Sequence, residues 1–171
     1  MTMIIISMIG VIAALIEIGF AIYTYSNESV RKRRSETIIF YNKIFNETYK
    51  LRDKYFNVTK KYLFTSEDIY NNENIYKHTL NFLTLLEGFA KGLEYGVYDF
   101  KTFVYLTPNE LFEILNSLSQ FVYDEQRKKA YNLLFNDFLS LVNVMSICVR
   151  YKQDGRKITF NYSKIKKKKV I

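Results

Sequence analysis

Residues 3–25 read MIIISMIGVIAALIEIGFAIYTY and contain one charged side chain, Glu17. A helix of this length rises about 35 Å, at about 1.5 Å per residue. That length is enough to cross a hydrocarbon core of about 30 Å. We therefore predict a transmembrane helix within residues 1–25. A basic cluster follows at residues 31–34, and the positive-inside rule then places the N-terminus outside and the remaining chain in the cytoplasm.

The small and polar residues of this segment fall on one face of the predicted helix. They follow alternating steps of four and three residues, the spacing of a left-handed helix association, at Met3, Ser7, Gly10, Ala14, Glu17, Ala21 and Thr24. Small side chains let helix backbones approach closely in a membrane, so we predict a homo-oligomer, for example a tetramer.

Glu17 lies on this face and has two interpretations. In a ring of protomers its carboxylates would attract cations into a pore. The alternative is a protonated carboxyl group that forms a hydrogen bond inside a packed, non-conducting assembly. The sequence leaves both open.

The chain after this segment predicts a mainly α fold. Neither Gly nor Pro occurs between Gly19 and Gly88, so we expect the membrane helix to continue into a long helix within residues 26–64. Its inward positions are predicted at Tyr41, Ile44, Thr48, Leu51, Tyr55, Val58 and Tyr62. Capping residues at Thr65, Thr107 and Asp124 predict three further helices, which form a cytoplasmic helical bundle over residues 65–149.

The last 22 residues carry the whole surplus of positive charge. Residues 150–171 hold nine Lys or Arg and one Asp, whereas the preceding chain holds 16 basic and 16 acidic residues. Asp154 and Gly155 lie between alternating apolar residues, a pattern that predicts a short β-hairpin from Val149 to Tyr162. A Lys-rich tail follows.

The basic C-terminal segment predicts a ligand. Its interleaved cations and aromatic rings suit single-stranded DNA or another polyanion, and the predicted ligand-binding residues are Arg150, Tyr151, Lys152, Arg156, Lys157 and Phe160. The negative inner leaflet of the lipid bilayer is an alternative partner, and a solvated tail without a specific partner is another.

The sequence lacks the usual patterns of catalytic and metal-binding sites. One Cys and one His cannot supply the four ligands of a common zinc site. No Gly-rich phosphate loop or nucleophile elbow occurs. We interpret His78 as a structural or surface residue and Cys148 as a small core residue. We therefore expect neither an enzyme nor a metal or cofactor.

The segment 80–99 resembles the central signature of a bacterial family of small, single-pass membrane proteins of unknown function. The residues that carry the resemblance are Leu80, Asn81, Phe82, Leu83, Glu87, Gly88, Phe89, Ala90, Gly92, Gly96 and Asp99. The three glycines recur at intervals of four, which predicts a smooth helix face for close packing.

Members of that family are associated with phage defence, and the order of segments over roughly residues 1–150 is similar to the membrane effectors of Hailong-type systems. The resemblance implies an oligomeric ion channel in the bacterial inner membrane. It also implies that single-stranded DNA oligomers, made by a partner nucleotidyltransferase, hold the channel closed. It assigns no ligand residue.

Two hypotheses for function follow. The first is an oligomeric membrane effector, a ligand-gated pore in anti-phage defence whose cytoplasmic domain senses a polyanion. The second is a non-conducting, membrane-anchored scaffold or receptor that recruits a cytoplasmic partner.

Overall fold

The computed structural model describes the backbone of residues 2–129 and 134–153, and the side chains of residues 15–128 and 134–147. The described chain is mainly helical, as predicted, and contains no strand within those ranges. The helices are α1 (Thr2–Thr59), α2 (Ser66–Tyr70), α3 (Glu73–Glu94), α4 (Phe100–Leu106), α5 (Asn109–Lys129) and α6 (Asn136–Gln153).

Helix α1 is a continuous helix of 58 residues, which confirms that the N-terminal segment runs on into a long helix. It ends where Lys60 adopts the left-handed conformation, with φ 59°. The first buried side chain along α1 is that of Thr37 among the described residues. Over the described part of the chain, no helix is both long and apolar enough to cross a membrane.

The C-terminal half of α1 forms one wall of the bundle. Five predicted inward positions are buried, namely Tyr41, Ile44, Thr48, Leu51 and Tyr55. Val58 and Tyr62 are exposed, contrary to the prediction, because the helix ends at Thr59 and the following chain turns back.

Helix α3 is the central element, since it packs against both α1 and α6. Its Phe89 is fully buried and stacks on Phe40 of α1, with ring centroids 5.1 Å apart. The rings of Tyr98 and Phe103 complete this cluster at 4.9 and 4.8 Å from Phe89. The aromatic contacts join α1, α3 and α4.

Two predicted helix boundaries were wrong. The helix predicted to start at Thr65 is divided into α2 and α3, because the Asn72 side chain accepts a hydrogen bond from the Ile75 amide, 3.0 Å away, and begins a new helix. Asp124 lies inside α5 rather than at the start of the last helix. The short helix α4 was not predicted.

The predicted hairpin is also wrong in its first strand. Helix α6 continues through Val149 and Tyr151 to Gln153. Extending an existing helix adds a hydrogen bond for each residue ordered, whereas a lone hairpin is marginal in water. The remainder of the hairpin and the Lys-rich tail lie outside the described residues.

Candidate functional site

The predicted helix-association residues all belong to α1. Ser7, Gly10 and Ala14 lie outside the residues whose side chains the structure describes. Glu17 and Ala21 are exposed, and Thr24 is partly exposed. Large apolar neighbours are exposed beside them, with 56–70% of their surface accessible, at Leu15, Ile16, Ile18, Phe20 and Ile22.

The predicted ligand-binding residues are divided by the end of α6. Arg150, Tyr151 and Lys152 belong to its last turns, and their side chains lie outside the described part. Arg156, Lys157 and Phe160 lie wholly outside it. The structure therefore provides no geometry for a site formed by these six residues.

The polar residues of the 80–99 segment hold the bundle together. The Glu87 carboxylate accepts hydrogen bonds from the backbone amides of Phe138, at 2.7 Å, and Asp137, at 3.3 Å. It thus caps α6 from a neighbouring helix. Burial raises the pKa of the Glu87 carboxyl group, while these two amide donors act in the opposite direction. Asp99 caps α4 by accepting a hydrogen bond from the Thr102 amide at 2.9 Å.

The three glycines of this segment do not form the predicted smooth face. Gly92 lies directly under the Tyr98 ring, which would collide with a Cβ atom there. Gly96 follows the end of α3 and has a φ of 72°, a conformation that glycine adopts without steric cost. Gly88 faces open space. Gly92 therefore allows the close packing of Tyr98, and Gly96 allows the turn after α3.

A groove between α1 and α3 brings together basic residues that sequence analysis did not connect. It has a volume of about 480 Å³ and is lined by Lys43, Glu47, Lys50, Leu51, Lys54, His78, Asn81, Phe82 and Leu85. The three lysines lie on one face of α1 because their spacings of seven and four residues bring them to nearly the same side of a helix. That spacing was visible in the sequence, but the contribution of α3 was not.

The groove carries more positive than negative charge. Lys50 is paired with Glu47 at 2.8 Å. Among the described residues, no carboxylate lies within ion-pair distance of Lys43 or Lys54. Lys54 Nζ lies 2.7 Å from His78 Nε2. Because an ammonium group has no acceptor, Lys54 is the donor and His78 Nε2 the acceptor of this hydrogen bond. His78 therefore belongs to the groove.

A second polar cluster closes the turn between α1 and α2. Asp68 accepts hydrogen bonds from Lys61, Tyr55 and Thr65 at 2.7, 2.8 and 2.6 Å. These three hydrogen bonds hold the turn. No group of three or more His, Cys, Asp or Glu residues that could hold a metal ion occurs in the described ranges.

Comparison with known proteins identifies a family that this chain resembles over most of its length. A family model described as Domain of unknown function (DUF4760) matches residues 4–145. These residues include most of α1 and the bundle as far as the middle of α6. No curated protein and no solved structure matches the chain.

Proposed function

The chain belongs to the family described as Domain of unknown function (DUF4760), and from that premise we propose that it is a homo-oligomeric membrane effector that forms a ligand-gated pore. Its cytoplasmic bundle senses a polyanion such as single-stranded DNA. Its role is in anti-phage defence, which the resemblance of the 80–99 segment supports. The observation that carries the proposal is the exposed apolar surface of α1 ahead of the bundle.

The support for a membrane anchor is the distribution of apolar side chains around α1. Leu15, Ile16, Ile18, Phe20 and Ile22 are all at least 56% exposed, and at 100° per residue they spread over about 200° of the helix circumference. An apolar surface this wide is normally covered by a protein core, a protein partner or a membrane. Residues 15–36 contain no buried side chain, so the bundle does not provide that cover.

The support for an oligomer and a pore is the seam, which is the helix face formed by the small and polar residues Ser7, Gly10, Ala14, Glu17, Ala21 and Thr24. Glu17, Ala21 and Thr24 share one face of this helix by their spacing, and the bundle leaves Glu17 and Ala21 exposed. An ionisable residue within a membrane normally faces a partner or water. The seam satisfies that requirement if several copies of α1 surround a shared axis, because each Glu17 then faces its equivalents.

The support for a polyanionic ligand is the charge of residues 150–171. If they bind single-stranded nucleic acid, replacing Lys152, Arg156 and Lys157 by Gln should weaken binding and flatten its dependence on salt, since fewer counterions are released. Replacing Tyr151 or Phe160 by Ala should weaken binding and leave the salt dependence unchanged. Unaltered oligonucleotide binding in both sets would exclude this segment as the binding site.

The pore is tested by recording currents from the purified full-length protein in planar lipid bilayers. We expect channel-like currents with a preference for cations, and a weaker preference in the Glu17→Gln variant, because it removes the carboxylates from the pore. Glu28→Gln is the matched control, since it removes a carboxylate beyond the predicted span. Bilayers that stay silent with and without oligonucleotide would contradict the pore and favour the non-conducting scaffold.

A further inference from the structure

We propose that the groove between α1 and α3 binds an organic phosphate, a ligand with at least one phosphate group and an apolar or aromatic part. This site is separate from the basic C-terminal segment. The inference uses the proposed function only to place the groove relative to the bilayer.

The charge of the groove selects an anion. Lys43 and Lys54 have no carboxylate partner among the residues that the structure describes, and Glu47 offsets only one of the three lysines. Lysine is a common phosphate-binding residue because its ammonium group offers three donors on a flexible stem. Lys54 can keep its hydrogen bond to His78 and direct its other two protons to a phosphate oxygen.

The apolar floor of the groove favours a ligand that has an apolar or aromatic part in addition to its phosphate group. Leu51 and Phe82 are buried beneath it, and Leu85 is partly buried at its edge. Asn81 provides both a donor and an acceptor on the α3 wall. A volume of about 480 Å³ falls within the usual range of small-molecule sites, which combine an apolar lining with a few polar groups.

The position of the groove along α1 excludes lipid headgroups. From Tyr25, the end of the predicted span, to Lys43 the continuous helix rises about 27 Å, and to Lys54 about 44 Å, at about 1.5 Å per residue. Electrostatic attraction to a charged membrane falls off over about 8 Å at physiological salt. The phosphate must therefore come from a soluble molecule, and the test below compares a nucleotide with the end of an oligonucleotide.

The test is isothermal titration of the full-length protein in detergent micelles at constant salt. The probes are adenosine diphosphate and hexathymidylate with a 5′-phosphate. In the Lys43→Gln/Lys54→Gln variant we expect binding of the preferred probe to weaken about tenfold or more, because both unpaired cations are lost. The Lys43→Arg/Lys54→Arg variant should keep most of the affinity. A Lys77→Gln/Lys101→Gln variant is the matched control, since it removes two exposed lysines outside the groove.

The choice of probe identifies the source of the phosphate. Groove-dependent binding of adenosine diphosphate supports a nucleotide, and groove-dependent binding of hexathymidylate alone supports a strand end. Absence of binding for both probes overturns the inference, as does equal weakening in the groove variant and the control. The titration measures binding and the bilayer recording measures current, so the two proposals fail separately. Absence of binding would not contradict the pore, and silent bilayers would not contradict ligand binding in the groove.

Discussion

Replacing Asp68 by Asn should destabilise the turn that joins α1 to α2. The Asp68 carboxylate accepts hydrogen bonds from Lys61, Thr65 and the buried Tyr55. These donors, with Lys61 contributing most, lower the pKa of Asp68 from 3.8 to about 2. Asn keeps the shape of the side chain but removes its charge and one of its acceptors.

The size of the effect follows from that pKa. A fall from 3.8 to about 2 corresponds to ~2.4 kcal/mol of stability, at ~1.36 kcal/mol per pKa unit. The Lys61 side chain is 56% exposed, so solvent screening reduces the expected loss to ~1 kcal/mol. Because the pKa is lower in the folded state, the contribution is complete above pH ~5 and is lost as the pH falls through the folded pKa of about 2.

The assay is urea unfolding of the full-length protein in detergent micelles, followed by circular dichroism between pH 7 and pH 2. At pH 7 the free energy of unfolding of Asp68→Asn should be ~1 kcal/mol lower than that of the wild type, and the difference should shrink to a small fraction near pH 2. Asp53→Asn, an exposed position on α1, is the control and should match the wild type throughout. A difference that is equally large at pH 7 and pH 2 would refute the role of the charge.

Three further predictions concern other parts of the chain. Gly92→Ala should cost ~1 to 3 kcal/mol in urea unfolding, because its Cβ overlaps a packed tyrosine ring, whereas Gly88→Ala, in open space, should be neutral or stabilising. Glu87→Ala should lower the free energy of unfolding by ~1 kcal/mol and speed amide hydrogen exchange in the first turn of α6. Unchanged hydrogen exchange there would contradict the role of Glu87 as a helix cap. Gly10→Leu with Ala14→Leu should reduce the oligomer seen by cross-linking, and an unchanged oligomer would argue against the seam.

The sequence by itself determined the mainly helical fold and the continuity of α1. Both depend on local properties, since a chain with one proline and no internal glycine over a long segment propagates a helix without a break. The inward face of α1 was also predictable from the sequence. The spacing of Ile44, Leu51 and Tyr55 places them on one side of a helix, whatever its neighbours are.

Local signals were weaker guides to where helices end. Asp124 has the chemistry of a helix cap, yet its carboxylate accepts a hydrogen bond from Ser66 of α2 and lies within a continuous α5. Asn72 has similar chemistry and does cap a helix. The choice between these uses depends on which partner the folded chain brings within reach, and the residue type does not specify that partner.

Only the tertiary structure decided the groove and the role of the 80–99 segment. Lys54 and His78 meet across two helices, and Glu87 reaches an amide 51 residues further along the chain. Such contacts depend on the angle and register at which α3 crosses α1 and α6. Hydrophobic periodicity shows which face of a helix is buried, but it leaves open the neighbouring helix and the polar side chains that meet at the rim.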